Sequence, residues 1–201
     1  MHETARDTFI TDKRRQRIQS VLGRRQRDFT LVMNNIHDPH NVSAILRSCD
    51  AFGIHRVHFV YTSEPFPSLG KKSSASARKW VDITRHTSAA DLAGRLSLEG
   101  MRVLYTGFGS RASSLPEVDF LPPTAVVLGN EHRGVDEELK RLSHGELYIP
   151  MQGMVQSLNV SVAAALILYE AWRQRREAGV LEEKKLLPEE FADCYRQWVE
   201  K

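Results

Sequence analysis

Three short polar turns hold the residues of this chain whose types could do chemistry together. The turn Asn35-Ile36-His37-Asp38-Pro39-His40-Asn41 follows an apolar run and leads, six residues on, to Arg47. The turn Gly129-Asn130-Glu131-His132-Arg133-Gly134 follows Val126-Val127-Leu128. The third, from Met151 through Ser157 to Asn159, follows Leu147-Tyr148-Ile149-Pro150. A guanidinium, a carboxylate, two amides and a hydroxyl suit the recognition of a phosphate or a sugar alcohol. Each residue alone also has an ordinary reading: Arg47 a solvated arginine, Glu131 a surface carboxylate, Ser157 a helix cap. Polar groups at the carboxyl ends of strands are where α/β proteins place ligands, so three such turns read as one composite site.

Other motifs carry less. Gly107-Phe108-Gly109-Ser110-Arg111-Ala112 fits a glycine-rich nucleotide fingerprint after a strand, but that fingerprint works only when a helix opens at once. Pro116 and a loop-like stretch follow instead, which argues against a dinucleotide site and leaves a loop over another adenosine ligand. The histidines lack ligand spacing apart from His37 and His40, with no thiolate nearby, so no metal site is expected. No nucleophile elbow of a serine hydrolase is present.

The elements that must position these turns follow from periodicity. Phe29–Met33, Arg56–Val60, Val81–Thr84, Arg102–Thr106, Thr124–Leu128 and Leu147–Ile149 read as strands. Val42, Ile45, Leu46, Cys49 and Phe52 recur at helical spacing, with Asn41 as the expected cap and Gly53 as the stop. Further helices are expected from Ser88, over Asp136–Leu142, over Leu158–Arg176 and in the tail from Pro188 to Lys201. Residues 62–77 and 107–123 read as loops. Strands alternating with helices predict an α/β domain with a parallel sheet covered on both faces.

Apolar residues make up 41% of the 201, too many for a disordered chain. No run approaches the roughly 18 apolar residues of a membrane span, and Met1 to Thr11 lacks a secretory signal's apolar stretch. Cys49 and Cys194 fall in helical patterns and read as buried thiols, so a cytoplasmic protein is expected. The net charge is +3, but Lys13, Arg14, Arg15, Arg17, Arg24, Arg25 and Arg27 place seven positive charges in fifteen residues without an acid. The rest of the chain is then net −4, and a patch this concentrated attracts polyanions unless it is merely a solvated helix face. Residues 12–27 read as a polar helix broken near Gly23. Arg173, Arg175 and Arg176, with Lys184 and Lys185, form a second basic cluster.

Together the three turns closely resemble the signature motifs of the SpoU/TrmH-type RNA 2′-O-methyltransferases of the SPOUT superfamily. The first motif runs from Asn35 to Arg47, the second from Leu128 to Gly134, and the third from Ile149-Pro150-Met151 through Ser157-Leu158-Asn159 to Ala163. The resemblance covers roughly residues 29–172. It implies a sheet whose C-terminal part threads a deep trefoil knot, an exception to the usual connection rules. It implies a homodimer, and S-adenosyl-L-methionine held by Thr106, Gly107, Leu128, Gly129, Ile149, Met151 and Leu158. It also implies that Arg47, Asn41, Glu131, Ser157 and Asn159 carry catalysis, with Arg47 as the family's proposed base. The organisation expected is then a basic N-terminal helical extension (1–28), a methyltransferase domain (29–176) and a C-terminal helical extension (177–201). Extensions at both ends are similar to those of members acting on guanosine-18 in the tRNA D-loop. Arg14, Arg15, Arg17, Arg24, Arg25, His40, Arg173, Arg175 and Arg176 are the expected RNA contacts. Another tRNA position, an rRNA, or RNA binding without catalysis on the same scaffold are the competing readings.

Overall fold

The computed structural model describes residues 10–67, 77–183 and 186–201. Seven strands form one sheet: β1 (Phe29–Asn34), β2 (Arg56–Val60), β3 (Asp82–His86), β4 (Arg102–Thr106), β5 (Ser113–Ser114), β6 (Thr124–Leu128) and β7 (Gly145–Tyr148). Their order is β3-β2-β1-β6-β4-β7-β5, and every pairing is parallel. Parallel sheets must be covered on both faces, which is why β1 and β6 are buried along their whole length. Their registered pairs Leu31–Val126, Val32–Val127 and Met33–Leu128 alternate between the two faces.

Among the described residues six α-helices accompany the sheet: α1 (Asp12–Leu22), α2 (Pro39–Ala51), α3 (Ala89–Leu98), α4 (Glu137–Leu142), α5 (Val160–Glu177) and α6 (Pro188–Val199). On one face, Leu31, Met33, Val126 and Leu128 pack with Ile45 and Leu46 of α2 and Ile167 and Leu168 of α5. On the other, Val32, Val103 and Val127 pack with Leu92 and Leu96 of α3 and Leu139 of α4. The expected α/β architecture is present. Among the described residues no helix is long and apolar enough to cross a membrane. Cys49 and Cys194 are buried free thiols, and burial pushes both thiols up.

Because all strands run the same way, their carboxyl ends share one edge. From β1 the chain winds outward through β2 and β3, then returns to the other side of β1 as β6 and β4. That reversal opens a crevice between β1 and β6, where ligands of such sheets bind. The first two polar turns leave from these two strands.

Several local expectations shift. Helix α2 starts at Pro39, and its cap is Asp38, whose side chain accepts the His40 N–H at 2.8 Å; Asn41 is therefore inside the helix. Proline at a first helical position behind an aspartate is the stronger start signal. Helix α5 is capped by Asn159, not Ser157. The loop expected over 107–123 contains β5 and a short 3-10 turn at Leu115–Glu117, and β3 and β7 lie one or two residues from their expected bounds. Residues 68–76, 184 and 185 of the expected loop and basic cluster lie outside the described residues.

The basic segment is not a single solvated helix. Helix α1 ends at Leu22, and its Ile18 and Leu22 pack with Leu186, Cys194 and Trp198 around α6. Arg25 is buried, bonded to the Asp50 carboxylate and the Ile54 carbonyl, with its guanidinium over Trp198. Arg175 is buried as well. It donates to the Phe120 carbonyl (2.9 Å), the Gln26 side chain (2.9 Å) and the Asp28 carboxylate (2.7 Å). Both arginines were expected at an RNA surface. The structure corrects this, since both guanidiniums are buried and committed to internal carbonyl and carboxylate partners.

Candidate active site

The three turns meet above the β1/β6 crevice. Asn41 lies in the first turn of α2, Glu131 three residues past β6, and Asn159 at the cap of α5. Asn159 Nδ2 donates to Asn41 Oδ1 at 3.0 Å, and Asn41 Nδ2 donates to Glu131 Oε1 at 2.8 Å. A carboxylate only accepts, so Glu131 dictates which way the Asn41 amide faces. The Asn41 carbonyl then requires a donor from Asn159. That leaves Asn159 Oδ1 to accept the Ser161 N–H at 2.8 Å, which caps α5. The polarity therefore runs in one direction from a helix N-terminus to a carboxylate.

Glu131 also accepts the backbone N–H groups of His37 (2.9 Å) and Asp38 (3.3 Å). Burial disfavours its ionisation, but the hydrogen bonds from Asn41, His37 and Asp38 outweigh burial and hold its carboxyl below the usual glutamate value. It is a fixed anion at neutral pH, suited to orienting and unsuited to giving up a proton.

Arg47 is exposed on α2, six residues and roughly 9 Å along the axis from Asn41. Ser157 is exposed two residues before Asn159. Asn41, Glu131 and Asn159 are thus joined by direct hydrogen bonds, and Arg47 and Ser157 are near them along the chain.

Thr106, Gly107, Leu128, Gly129, Ile149, Met151 and Leu158 sit at or beyond the ends of β4, β6 and β7, which are neighbours in the sheet order. Gly107 donates to the Leu147 carbonyl (3.0 Å), and the Thr106 hydroxyl to the Val127 carbonyl (3.2 Å). Leu128 is buried in the core, while Ile149, Met151 and Leu158 are half-buried. Backbone amides beside apolar side chains suit the flat purine and the aliphatic, sulfonium-bearing chain of adenosylmethionine, so the residues present fit that group. The β4 glycine loop opens no helix, as expected; instead Glu146 Oε1 accepts the Gly109 N–H at 2.9 Å.

A Cβ at Gly129 would run into the Gly134 carbonyl carbon and the Val135 nitrogen, both backbone. Gly129→Ala is accordingly expected to cost about 1–3 kcal/mol of stability, because the opposing loop must move. It should also weaken adenosylmethionine binding at least about tenfold, which is about 1.4 kcal/mol. Denaturant unfolding and calorimetric titration check the two effects; unchanged values for both would show that the loop has slack.

Of the expected RNA contacts, Arg14, Arg17, Arg24 and His40 are exposed, and Arg15 is half-buried. Arg173 is held between Glu170 and Glu177 at 2.7 Å from each, and exposed Arg176 lies over the Trp172 ring. Sequence reading missed Asn35 and Asp136, which tie the first two turns together, and Glu146, which holds the glycine loop after β4. The Asn34-Asn35 pair at a strand end was a signal for the first; nothing local marked the other two.

A profile of the SpoU rRNA Methylase family matches residues 28–169. A Thermus thermophilus protein named tRNA (guanosine(18)-2′-O)-methyltransferase is 44% identical over 95% of this chain and 98% of its own length. The protein of the same name from Escherichia coli is 44% identical over 86% of this chain and 76% of its own. Among solved structures, the A. aeolicus TrmH/SpoU tRNA modifying enzyme superposes with a TM-score of 0.87 at 34% identity, covering 94% of this chain and 96% of that one. The SpoU methyltransferase AviRb from Streptomyces viridochromogenes, in complex with AdoMet, matches with a TM-score of 0.68 at 26% identity, over 76% of this chain and 62% of that one. Fold, motif order and identity along nearly the whole length agree: the chain belongs to the SpoU methylase family.

Proposed function

We propose that this protein transfers a methyl group from S-adenosyl-L-methionine to the ribose 2′-hydroxyl of guanosine-18 in the D-loop of tRNA. The observation that carries the reading is the Asn159–Asn41–Glu131 chain over the β1/β6 crevice, beside the ends of β4 and β6 where Gly107 and Gly129 follow. The relatives named for guanosine-18 methylation align along 86–95% of the chain, the N-terminal helix of the longer alignment included. In this reading the protein is cytoplasmic, residues 29–176 form the methyltransferase unit, and the two flanking segments are helical extensions. It acts as a knotted homodimer, for which the exposed apolar residues Val162, Leu166 and Tyr169 of α5 supply a contact face.

The bound cofactor supplies a methyl group made electrophilic by its sulfonium. Glu131, Asn41 and Asn159 hold the turns that face it in one arrangement, so little reorganisation remains at the moment of reaction. Arg47 reaches the phosphate beside the target ribose and orients the hydroxyl. A guanidinium normally stays charged, so a phosphate oxygen or water is the better proton acceptor. Arg14, Arg15, Arg17, Arg24, His40, Arg173 and Arg176 bear on the RNA backbone.

Incubating the protein with tritiated adenosylmethionine and tRNA transcripts tests this directly. Label should map by nuclease digestion to a guanosine ribose in the D-loop. Label confined to rRNA would change the substrate, and RNA binding without any transfer would overturn the enzymatic reading.

Replacing Arg14, Arg15 and Arg17 with glutamine should weaken tRNA binding and reduce its salt dependence by roughly one unit of slope for each phosphate no longer neutralised. The helix survives the change, because α1 is anchored through Ile18 and Leu22, which are kept. Salt titrations of binding provide the check, and an unchanged slope would remove α1 from the RNA path.

A further inference from the structure

Behind the Asn159–Asn41–Glu131 chain lies a second polar lattice, centred on Asn35. Asn35 is fully buried and has φ of 50°, the one positive value among the described non-glycine residues. Its Oδ1 accepts three successive backbone N–H groups, those of Thr62 (2.9 Å), Ser63 (3.1 Å) and Glu64 (3.2 Å). Its Nδ2 donates to Asp136 Oδ2 (2.7 Å) and to the Thr62 hydroxyl oxygen (3.1 Å). The same Asp136 oxygen accepts Asn34 Nδ2 (2.9 Å) and the Thr62 hydroxyl (3.1 Å), while the Asp136 N–H donates to Asn34 Oδ1 (2.9 Å). The Asn35 carbonyl accepts Asn130 Nδ2 at 2.7 Å, and Asn130 Oδ1 accepts the N–H groups of His132 (2.9 Å) and Arg133 (3.1 Å).

Glu131 stands between these two anchored neighbours. The stretch that follows β2 is bound in as well, since Ser63 and Glu64 each hold Arg133 at 2.9 Å and Glu64 faces His37 at 3.2 Å. A left-handed turn after β1 needs no such side chain, because glycine adopts it without strain. Asparagine tolerates it at some cost, and residues kept in such conformations cluster where the surroundings must be fixed.

We infer that Asn35 and Asp136 are positioning residues for the methyl transfer, clamping the Glu131 turn and the 62–64 stretch to the Asn41 turn. The inference rests on the function proposed above. Neither side chain contacts the reacting groups. They act by setting where the Glu131 carboxylate meets Asn41 and the His37 and Asp38 amides.

Asn35→Gly isolates the effect, since glycine keeps the left-handed backbone and removes only the amide. The expected result is a fall in kcat of up to about 100-fold, as for a small misplacement of an attack geometry. The adenosylmethionine dissociation constant should stay within about twofold, because the slot at β4, β6 and β7 is untouched. Amide hydrogen exchange at His37, Asp38, His132 and Arg133 should accelerate in the same variant. A paired exchange supplies the rescue. Asn35→Asp alone brings two carboxylates face to face and should be strongly impaired. Combined with Asp136→Asn, the donor and acceptor roles of this pair are traded at the expense of the Asn34 Nδ2 bond to the same oxygen, so kcat should recover in part, by several-fold over the single variant. Full kcat with unchanged exchange in Asn35→Gly overturns the inference, as does a loss that tracks the folded fraction alone. A native protein that transfers no methyl group would refute the proposed function, while the exchange data would still decide whether the clamp exists.

Discussion

Arg47→Ala is expected to lower the rate of methyl transfer to tRNA by about 1000-fold or more, with adenosylmethionine affinity changed less than about twofold. Arg47 is exposed, on the side of α2 away from Val42, Ile45, Leu46 and Cys49, which carry the helix's packing. Its removal should therefore shift folding stability by no more than about 0.5 kcal/mol, the usual range for a surface position. The residues proposed to hold the cofactor lie at or beyond the ends of β4, β6 and β7, none of which includes α2. The loss falls on the step at which a phosphate-bound nucleophile must be aligned. Arg47→Lys keeps the charge without the planar fork, so it should recover part of the rate if phosphate attraction dominates and almost none if bidentate alignment does. Single-turnover rates, cofactor titration and thermal unfolding of the three proteins separate these terms. Equal losses in turnover and cofactor affinity would mean that Arg47 holds the structure together and does not act on substrate.

What the sequence made legible was whatever has a short period or a local chemical cause. Buried strands announce themselves as apolar runs, and α2 by its four-residue spacing, so the sheet and its carboxyl edge followed. The three turns were visible because each interrupts an apolar pattern with side chains that have no reason to be there. The glycine loop after β4 could be set aside for the same reason, since the helix it needs was missing from the pattern. Pairings between distant residues were not legible. Asn35 and Asp136 are separated by 101 positions, and the Asn34-Asn35 pair at its strand end gives no pointer to Asp136. Glu146 sits in a strand whose pattern says nothing about the Gly109 amide it accepts. Cap choice was misread at both helix starts that matter, because several polar residues compete there and only the backbone path decides which one bends back. The arginines failed most instructively. A run of positive charge reads as surface, yet Arg25 and Arg175 are the two largest fully buried side chains.

Arg175→Ala accordingly should act on stability and leave RNA binding alone. The guanidinium has no exposure and satisfies the Phe120 carbonyl, Gln26 and Asp28 together, joining α5 to the segments before β1 and β6. Removing one partner of a buried charged pair costs about 3–5 kcal/mol, because the other is left desolvated and unmatched. The Asp28 side chain keeps 23% exposure, so water can recover part of this and the lower end, about 3 kcal/mol, is expected. Denaturant unfolding should show the midpoint falling while the slope stays constant. Under conditions where the variant is still folded, its tRNA affinity and salt dependence should match the parent. Arg176→Ala provides the contrast, since Arg176 is exposed one residue further along the same helix. It should leave the unfolding midpoint in place and weaken RNA binding instead. The pair thus separates an arginine that holds helix to sheet from one proposed to meet phosphate. A variant at 175 that unfolds normally but binds tRNA poorly would put that guanidinium back on the surface.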